Sequence, residues 1–314
     1  MEWVDTHQHL WDLENSGLSL PWTVGAGKLE QSHTIVEYGA AAEGLGISKT
    51  LYMEVDVEAG DRQKEIDYIS GLCADPSTTL CGAIVAGDPS DPEFAEYIKR
   101  NSSNQWVKGV RRVLHGDDTG PGYCLTDAFV AGVQLLGELG LTFDLCLRPA
   151  ELADGATLAA RCPGTTFVVD HCGNANAWTV DGKADPNPEG FLRMGTHTAE
   201  GWKADMRLLA AQPNTSCKLS GIIARTEPGW DASLLAPTYS FCIKTFGVDR
   251  CVFGGDWPVC TMGCNGETNI ADHLSALRAC MDEMGLTAQQ QRSISWLNAH
   301  RVYGLDGGAA AAVL

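Results

Sequence analysis

The sequence predicts an α/β chain folded as a single (β/α)8 TIM barrel with loop insertions on its active face, and three observations carry that prediction. Eight short apolar or β-branched runs recur along the 314 residues. A stretch of helical period follows each run, and such strict alternation favours a parallel sheet. Eight repeats in a chain of about 300 residues fit a closed barrel better than an open sheet.

Taken in order, the strands are expected over residues 3–9, 50–55, 79–86, 107–114, 141–147, 165–170, 215–219 and 250–255. Each is a run such as FDLCL or TTFVVD, apolar enough to be covered on both faces. Helices are expected over 35–45, 63–74, 92–100, 127–139, 150–161, 201–211, 232–246 and 270–284, with a last one near 288–300. Two intervals exceed a simple loop, LWDLENSGLSLPW after His9 and GNANAWTVDGKADPNPEGF after His171. Long loops in a compact domain are usually lids or binding loops, and both of these follow strand ends. One domain is expected over 1–306, with a loosely packed tail, GGAAAAVL, over 307–314.

The 22 basic residues against 40 acidic ones leave a charge of -18. A field this negative repels nucleic acid and anionic membranes in the absence of a basic patch, and no basic run is present. The acidic start MEWVDTHQHLW lacks the basic region of a signal peptide, and no apolar run approaches the roughly 18 residues of a membrane span. A soluble cytoplasmic protein is expected. Of the 12 cysteines, Cys81, Cys146, Cys217 and Cys251 lie in strand-like runs where a thiol packs as a small hydrophobe. Cys260 and Cys264 form a C-x3-C spacing but lack a second ligand pair, so they are read as reduced and metal-free.

Chemistry gathers at strand ends. His7 and His9 close the first strand and, two residues apart, project to the same side, where two neutral imidazoles suit one divalent ion. The sixth strand ends in Asp170-His171 and the eighth in Asp256-Trp257-Pro258. Asp256 suits metal ligation and proton removal from water; His171 suits holding that water or polarising a carbonyl. Singly, these residues read equally well as a helix cap or a satisfied histidine, but titratable residues after three apolar strands converge on one pocket.

In VKGVRRVLH, Arg111 shares a face with Val107, Gly109, Val113 and His115, and Arg112 shares the other with Lys108, Val110 and Leu114. Parity alone leaves open which arginine faces the barrel. Arg148 follows the fifth strand, and Lys218-Leu219-Ser220-Gly221 with Arg225 follows the seventh, all read as mouth positions. Arg112, Arg148, His115, Ser220 and Trp178 are taken as the substrate-binding candidates, with Trp178 able either to stack on a sugar ring or to plug its own loop. Glu54 and Asp56 are weaker candidates in so acidic a chain.

The motifs DTHQHLWD, VKGVRRVLH, FDLCLRP, FVVDHCG, CKLSGI, FGGDWPV and NAHRVYGL, in this order, resemble the amidohydrolase-related (amidohydrolase 2) family, and within it the L-fuconolactonase and L-rhamnonolactonase type of sugar-lactone hydrolase. The 2-pyrone-4,6-dicarboxylate lactonases are more distant. The resemblance implies a barrel hydrolase opening a lactone, with His7, His9, His171 and Asp256 at its centre and Asp256 as general base. Binuclear relatives carry a Lys or Glu at the fourth strand end and a His on the fifth; arginines and Leu147-Arg148 stand here, so one ion held by His7, His9 and Asp256 is expected, zinc first and manganese second, with a metal-free site as the alternative. The expected partner is a small lactone, with no nucleic acid or membrane and with a homo-oligomer left open. The rivals are a decarboxylase of aromatic acids, a dicarboxylate lactone hydrolase, and a barrel that only binds.

Overall fold

The computed structural model describes residues 1–190, 192 and 194–305; the tail expected over 307–314 lies outside them. Eight strands, β1 (Trp3–Gln8), β2 (Ile47–Met53), β3 (Leu80–Ala86), β4 (Val107–Leu114), β5 (Thr142–Leu147), β6 (Thr166–Val169), β7 (Thr215–Leu219) and β8 (Cys251–Phe253), form one parallel sheet in sequence order. The sheet curls into a barrel. Its seam is the meeting of β8 with β1, where Thr6 Oγ1 donates to Phe253 O at 2.7 Å, Asp256 N to His7 O at 2.7 Å and His9 N to Trp257 O at 2.8 Å.

The last strand is shorter than expected because its backbone leaves the ladder to crowd against β1. A Cβ on Gly254 would lie 2.7 Å from that of His7, and one on Gly255 2.4 Å from an Asp5 carboxylate oxygen, so only glycine fits the seam.

The helices cover the outside in order: α1 (Ile35–Ala41), α2 (Arg62–Ala74), α3 (Phe94–Asn101), α4 (Asp127–Glu138), α5 (Leu152–Arg161), α6 (Ala199–Ala210), α7 (Ala232–Phe246) and α8 (Ile270–Glu283). Several start on caps the sequence supplies. At α8, Asn269 and Asp272 exchange side-chain-to-backbone bonds at 3.0 Å, which satisfies two amides that a helix start otherwise leaves open. The helix expected near 288–300 is instead two short segments, α9 (Ala288–Arg292) and α10 (Asn298–Tyr303), joined by a π-helical turn at Ser293–Leu297. The turn brings Asn298 inward, where its Nδ2 donates to the carbonyls of Val248 and Cys251, both at 2.7 Å, and anchors the entry to β8.

Two apolar cores result. The larger lies between sheet and helices and includes an edge-to-face series from Phe129 to Phe143 at 5.7 Å and on to Phe167 at 6.1 Å. The smaller fills the closed end of the barrel with Val4, Leu51, Met53, Ile84, Val168 and Val252, stoppered by Ala299 and Tyr303 of α10. No helix among the described residues is long and apolar enough to cross a membrane.

Both long loops pack their own tryptophans. Trp11 is fully buried, its ring 5.6 Å from Trp22, and Trp22 Nε1 donates to Val55 O at 2.7 Å, so the loop after β1 becomes a wall of the barrel mouth. All 12 cysteines are unpaired, Cys260 and Cys264 included.

Truncating Phe143 to Ala removes the middle ring of the aromatic series and leaves a cavity in the main core. The expected cost is about 3–5 kcal/mol, read as a lowered urea midpoint with an unchanged slope.

Candidate active site

The site begins with an irregularity in β1. Val4 points into the closed end of the barrel, so strict alternation would turn His7 and His9 outward. Between Asp5 and Gln8 the strand spends three steps while β2 spends two, from Thr50 to Tyr52, and the extra residue re-aims both histidines toward the mouth. There His7 Nε2 and His9 Nε2 face each other at 3.1 Å. Asp256 Oδ1 completes the group, 3.6 Å from His7 Nε2 and 3.5 Å from His9 Nε2. Asp256 sits in a left-handed conformation, φ 57, held by its amide bond to His7 O and by the Cys260 amide on its own carbonyl at 2.6 Å. Such a conformation is sparsely populated for a side-chain-bearing residue and clusters at functional sites.

His171 arrives from the opposite side, with Nδ1 4.0 Å from Asp256 Oδ2 and 2.9 Å from Ser220 Oγ. Its ring lies so close to β7 that a Cβ on Gly221 would be 2.3 Å from Nδ1, and φ of +72 at that residue independently requires glycine. Ser220 therefore meets the His171 ring and its backbone amide from below rather than facing the cavity.

Beneath the histidines lies a buried charge cluster. Lys218 Nζ is 2.6 Å from Asp144 Oδ2, 2.9 Å from Asp170 Oδ1 and 3.2 Å from His7 Nδ1. Tyr303 donates to Asp144 Oδ2 at 3.0 Å from the closed end. Burial alone disfavours every charge here. For Lys218 the two carboxylates outweigh it and hold the ammonium above its ordinary range; for Asp170, Lys218 and Arg111 outweigh it and hold the carboxyl below. Burial, reinforced by Lys218, His9 and Arg111, pushes His7 well below its usual value, so its ring is neutral. Burial and His7 do the same to His171.

The His9 tautomer suits a cation. His9 Nδ1 lies 3.1 Å from Met53 O and 3.0 Å from Glu54 O, which accept only, so it carries the proton and Nε2 presents a lone pair. Zinc–imidazole bonds of about 2.0–2.1 Å place neighbouring ligand nitrogens about 3 Å apart, the spacing found here. His7, His9 and Asp256 thus fit one divalent metal ion, and Asp170, 3.5 Å from His7 Nδ1, stands where a ligand histidine takes its supporting carboxylate.

Above this floor opens a cavity of about 680 Å³. Apolar Trp11, Trp22, Leu29, Val55 and Val259 line it together with Arg111, His115, Arg148 and Arg225. Arg111 is the arginine that faces in, its Nε bonded to Glu54 Oε1 at 2.5 Å and its Nη1 3.4 Å from His7 Nε2. Arg112, expected at the substrate, points the other way into a carboxylate nest of Asp56, Asp88 and Asp118 and does not line the cavity. Arg148 does line it, but its guanidinium is largely occupied by the carbonyls of Leu114 and Thr119, at 3.0 and 2.9 Å, and by Gly116 O. His115 stands at the cavity wall, its pKa lowered to about 3 by burial and by Arg111, Arg225 and Arg148. Trp178 packs against the main core and is absent from the cavity lining, the loop-plug arrangement of its two readings.

Sequence reasoning missed Asp144 and misplaced Lys218, which is a fully buried member of the barrel interior and not a mouth residue. A signal was available: each is the sole charge in an apolar strand, FDLCL and SCKL, and the charges are opposite. Arg111 was also legible, since its face carries Gly109, whose Cβ would clash with Thr142 at 2.0 Å in the crowded interior, while the Arg112 face carries Lys108.

A family model described as Amidohydrolase matches residues 4–305. An L-fucono-1,5-lactonase of Burkholderia multivorans is 26% identical over 315 residues, covering 98% of this chain and 98% of its own. Among solved structures, an amidohydrolase of Burkholderia multivorans with bound Zn superposes with a TM-score of 0.80 at 21% identity, covering 97% of this chain and 99% of its own. A 2,6-dihydroxybenzoate decarboxylase from Rhizobium shares the fold at a TM-score of 0.62 and 15% identity, covering 98% of this chain and 100% of its own.

Replacing Lys218 by Met strands Asp144 and Asp170 without their shared cation. The expected loss is about 3–5 kcal/mol in denaturant unfolding at neutral pH. Adding Asp144→Asn should recover part of it, because one of the two uncompensated charges is then gone.

Proposed function

The chain belongs to the amidohydrolase family and is a hydrolase of that type, and on that premise we propose that it opens a sugar-derived lactone, an L-fucono- or L-rhamnono-lactone type of aldonolactone, by attack of water. The observation that carries this reading is the convergence of Asp256 with His7, His9 and His171, at 3.6, 3.5 and 4.0 Å, on the floor of a cavity lined by both tryptophans and arginines. The relative named as a fuconolactonase, similar along nearly its whole length, supports the substrate class.

His7, His9 and Asp256 would hold one divalent ion, zinc first and manganese second, which would supply Lewis acidity at the lactone carbonyl. The chain's own groups do the rest. Asp256, a carboxylate reaching toward the cavity, takes a proton from the attacking water and returns it to the ring oxygen as the ester bond breaks, so one water is consumed and a hydroxy acid leaves. His171, braced by Ser220 and by the close backbone at Gly221, hydrogen-bonds the water or the carbonyl oxygen and fixes the direction of attack. Arg111, tied to Glu54 and to the edge of His7, adds fixed positive charge where the tetrahedral oxyanion develops. Trp22, half-buried at the cavity wall, offers an apolar face against which the carbon face of a sugar ring can lie.

The direct test is acid release from a panel of L-fucono-, L-rhamnono- and related lactones in a pH-indicator assay, with and without chelator. Hydrolysis that falls on chelation and returns with zinc is expected. Carbon dioxide release from an aromatic acid, with no acid from any lactone, would replace this reading with decarboxylation. The Asp256→Asn enzyme should fold normally and lose roughly 10²–10⁴-fold in kcat, the usual range for a positioned acid–base group.

A further inference from the structure

Outside the cavity, between the barrel wall and its helices, three thiols meet. Cys172 sits in the turn after β6, Cys217 points outward from β7, and Cys242 lies on α7; all are fully buried. Their sulfurs lie within 4.8 Å of one another. Tetrahedral zinc with thiolate bonds of about 2.3 Å sets sulfurs about 3.8 Å apart, so the group needs to contract by less than about 1 Å to close on one ion.

A second observation points to an occupant. His273 on α8 is fully buried; its Nδ1 faces Gly255 O at 3.4 Å, and its opposite nitrogen, Nε2, has no hydrogen-bond partner. The His273 ring stacks on Tyr239, with centroids 6.0 Å apart, and Tyr239 Oη is likewise buried without a partner. Tyr239 lies one helical turn from Cys242. Buried polar groups are normally satisfied, so two orphans in the helical layer that also holds Cys242 need an explanation that apolar packing does not give.

We propose that Cys172, Cys217 and Cys242 form a three-thiolate site for one thiophilic cation, copper(I) or zinc. Each thiol gives its proton to solvent as the metal–sulfur bond forms. The site would act on the fold where the fold is strained. His171, Cys172, Gly173 and Asn174 run consecutively in the left-handed region, at φ 52, 53, 67 and 53. A metal on Cys172 would clamp this turn to β7 and α7 and so fix His171 from outside the cavity.

Cobalt(II) distinguishes this site from the ion at His7, His9 and Asp256, because only thiolates give sulfur-to-cobalt charge-transfer absorption. Full-length protein produced in cobalt-supplemented medium should show that absorption, and the His7→Ala/His9→Ala variant should keep it. Cys217→Ala and the near-isosteric Cys242→Val should each lose it, together with about one equivalent of bound metal and the chelator-sensitive part of the Tm. Elemental analysis of protein produced without cobalt separates zinc from copper. A folded wild type with no thiolate band, a band that survives both cysteine variants, or a disulfide among the three found by mass spectrometry overturns the proposal, whatever the lactone assay gives.

Discussion

A single ammonium group inside the barrel sets the terms for everything above it. Lys218 has no water to turn to, so its charge is carried by Asp144 and Asp170, and those carboxylates are tolerable in the interior only because Lys218 is there. The trio also has directional consequences. Asp170 is the residue before His171, and it reaches both Lys218 and Arg111. Its position fixes where the β6 strand ends and where the left-handed turn begins. Lys218 and Asp170 also border His7 Nδ1, so the histidine is oriented by ionic neighbours that never reach the cavity.

Electrostatics also divides the labour among the arginines. With 40 acidic residues in the chain, carboxylates compete for its arginines. Arg112 is absorbed by three of them, while Arg111, one residue earlier, is turned inward and keeps a single buried carboxylate partner in Glu54 at hydrogen-bond distance. Arg148 pairs with Glu151 at 3.0 Å and also bonds successive carbonyls at and after the end of β4, tying that segment to the end of β5. Cavity walls built from such braced segments hold polar groups at fixed positions, the condition under which they can stabilise developing charge.

The barrel was legible because it depends on pattern. Alternating apolar runs and helical stretches identified all eight strands, and the motif-bearing strand ends identified His7, His9, His171 and Asp256 as neighbours. What escaped the sequence depended on register. Parity counted along a regular strand left Arg111 and Arg112 undecided, and the reading that favoured Arg112 ignored Gly109 as a marker of the crowded face. Lys218 stands two positions before a turn, as a mouth residue would, whereas it is fully buried against Asp144 and Asp170. The terminal helix divided at a π-helical turn because Asn298 serves the carbonyls of Val248 and Cys251, a tertiary demand that helical periodicity does not encode.

The extra residue in β1 gives the donor pair an unusual dependence. His7 and His9 face the cavity only because the strand gains one step on its neighbour between Asp5 and Gln8. Deleting Thr6 would rotate both imidazoles into the helical layer while leaving the chain's composition almost unchanged. Copying the H-x-H pair onto the first strand of another barrel would equally fail without the bulge beneath it. The address of these donors is thus written in a spacing, and two chains with the same residues but a different count along β1 would present different surfaces to a substrate.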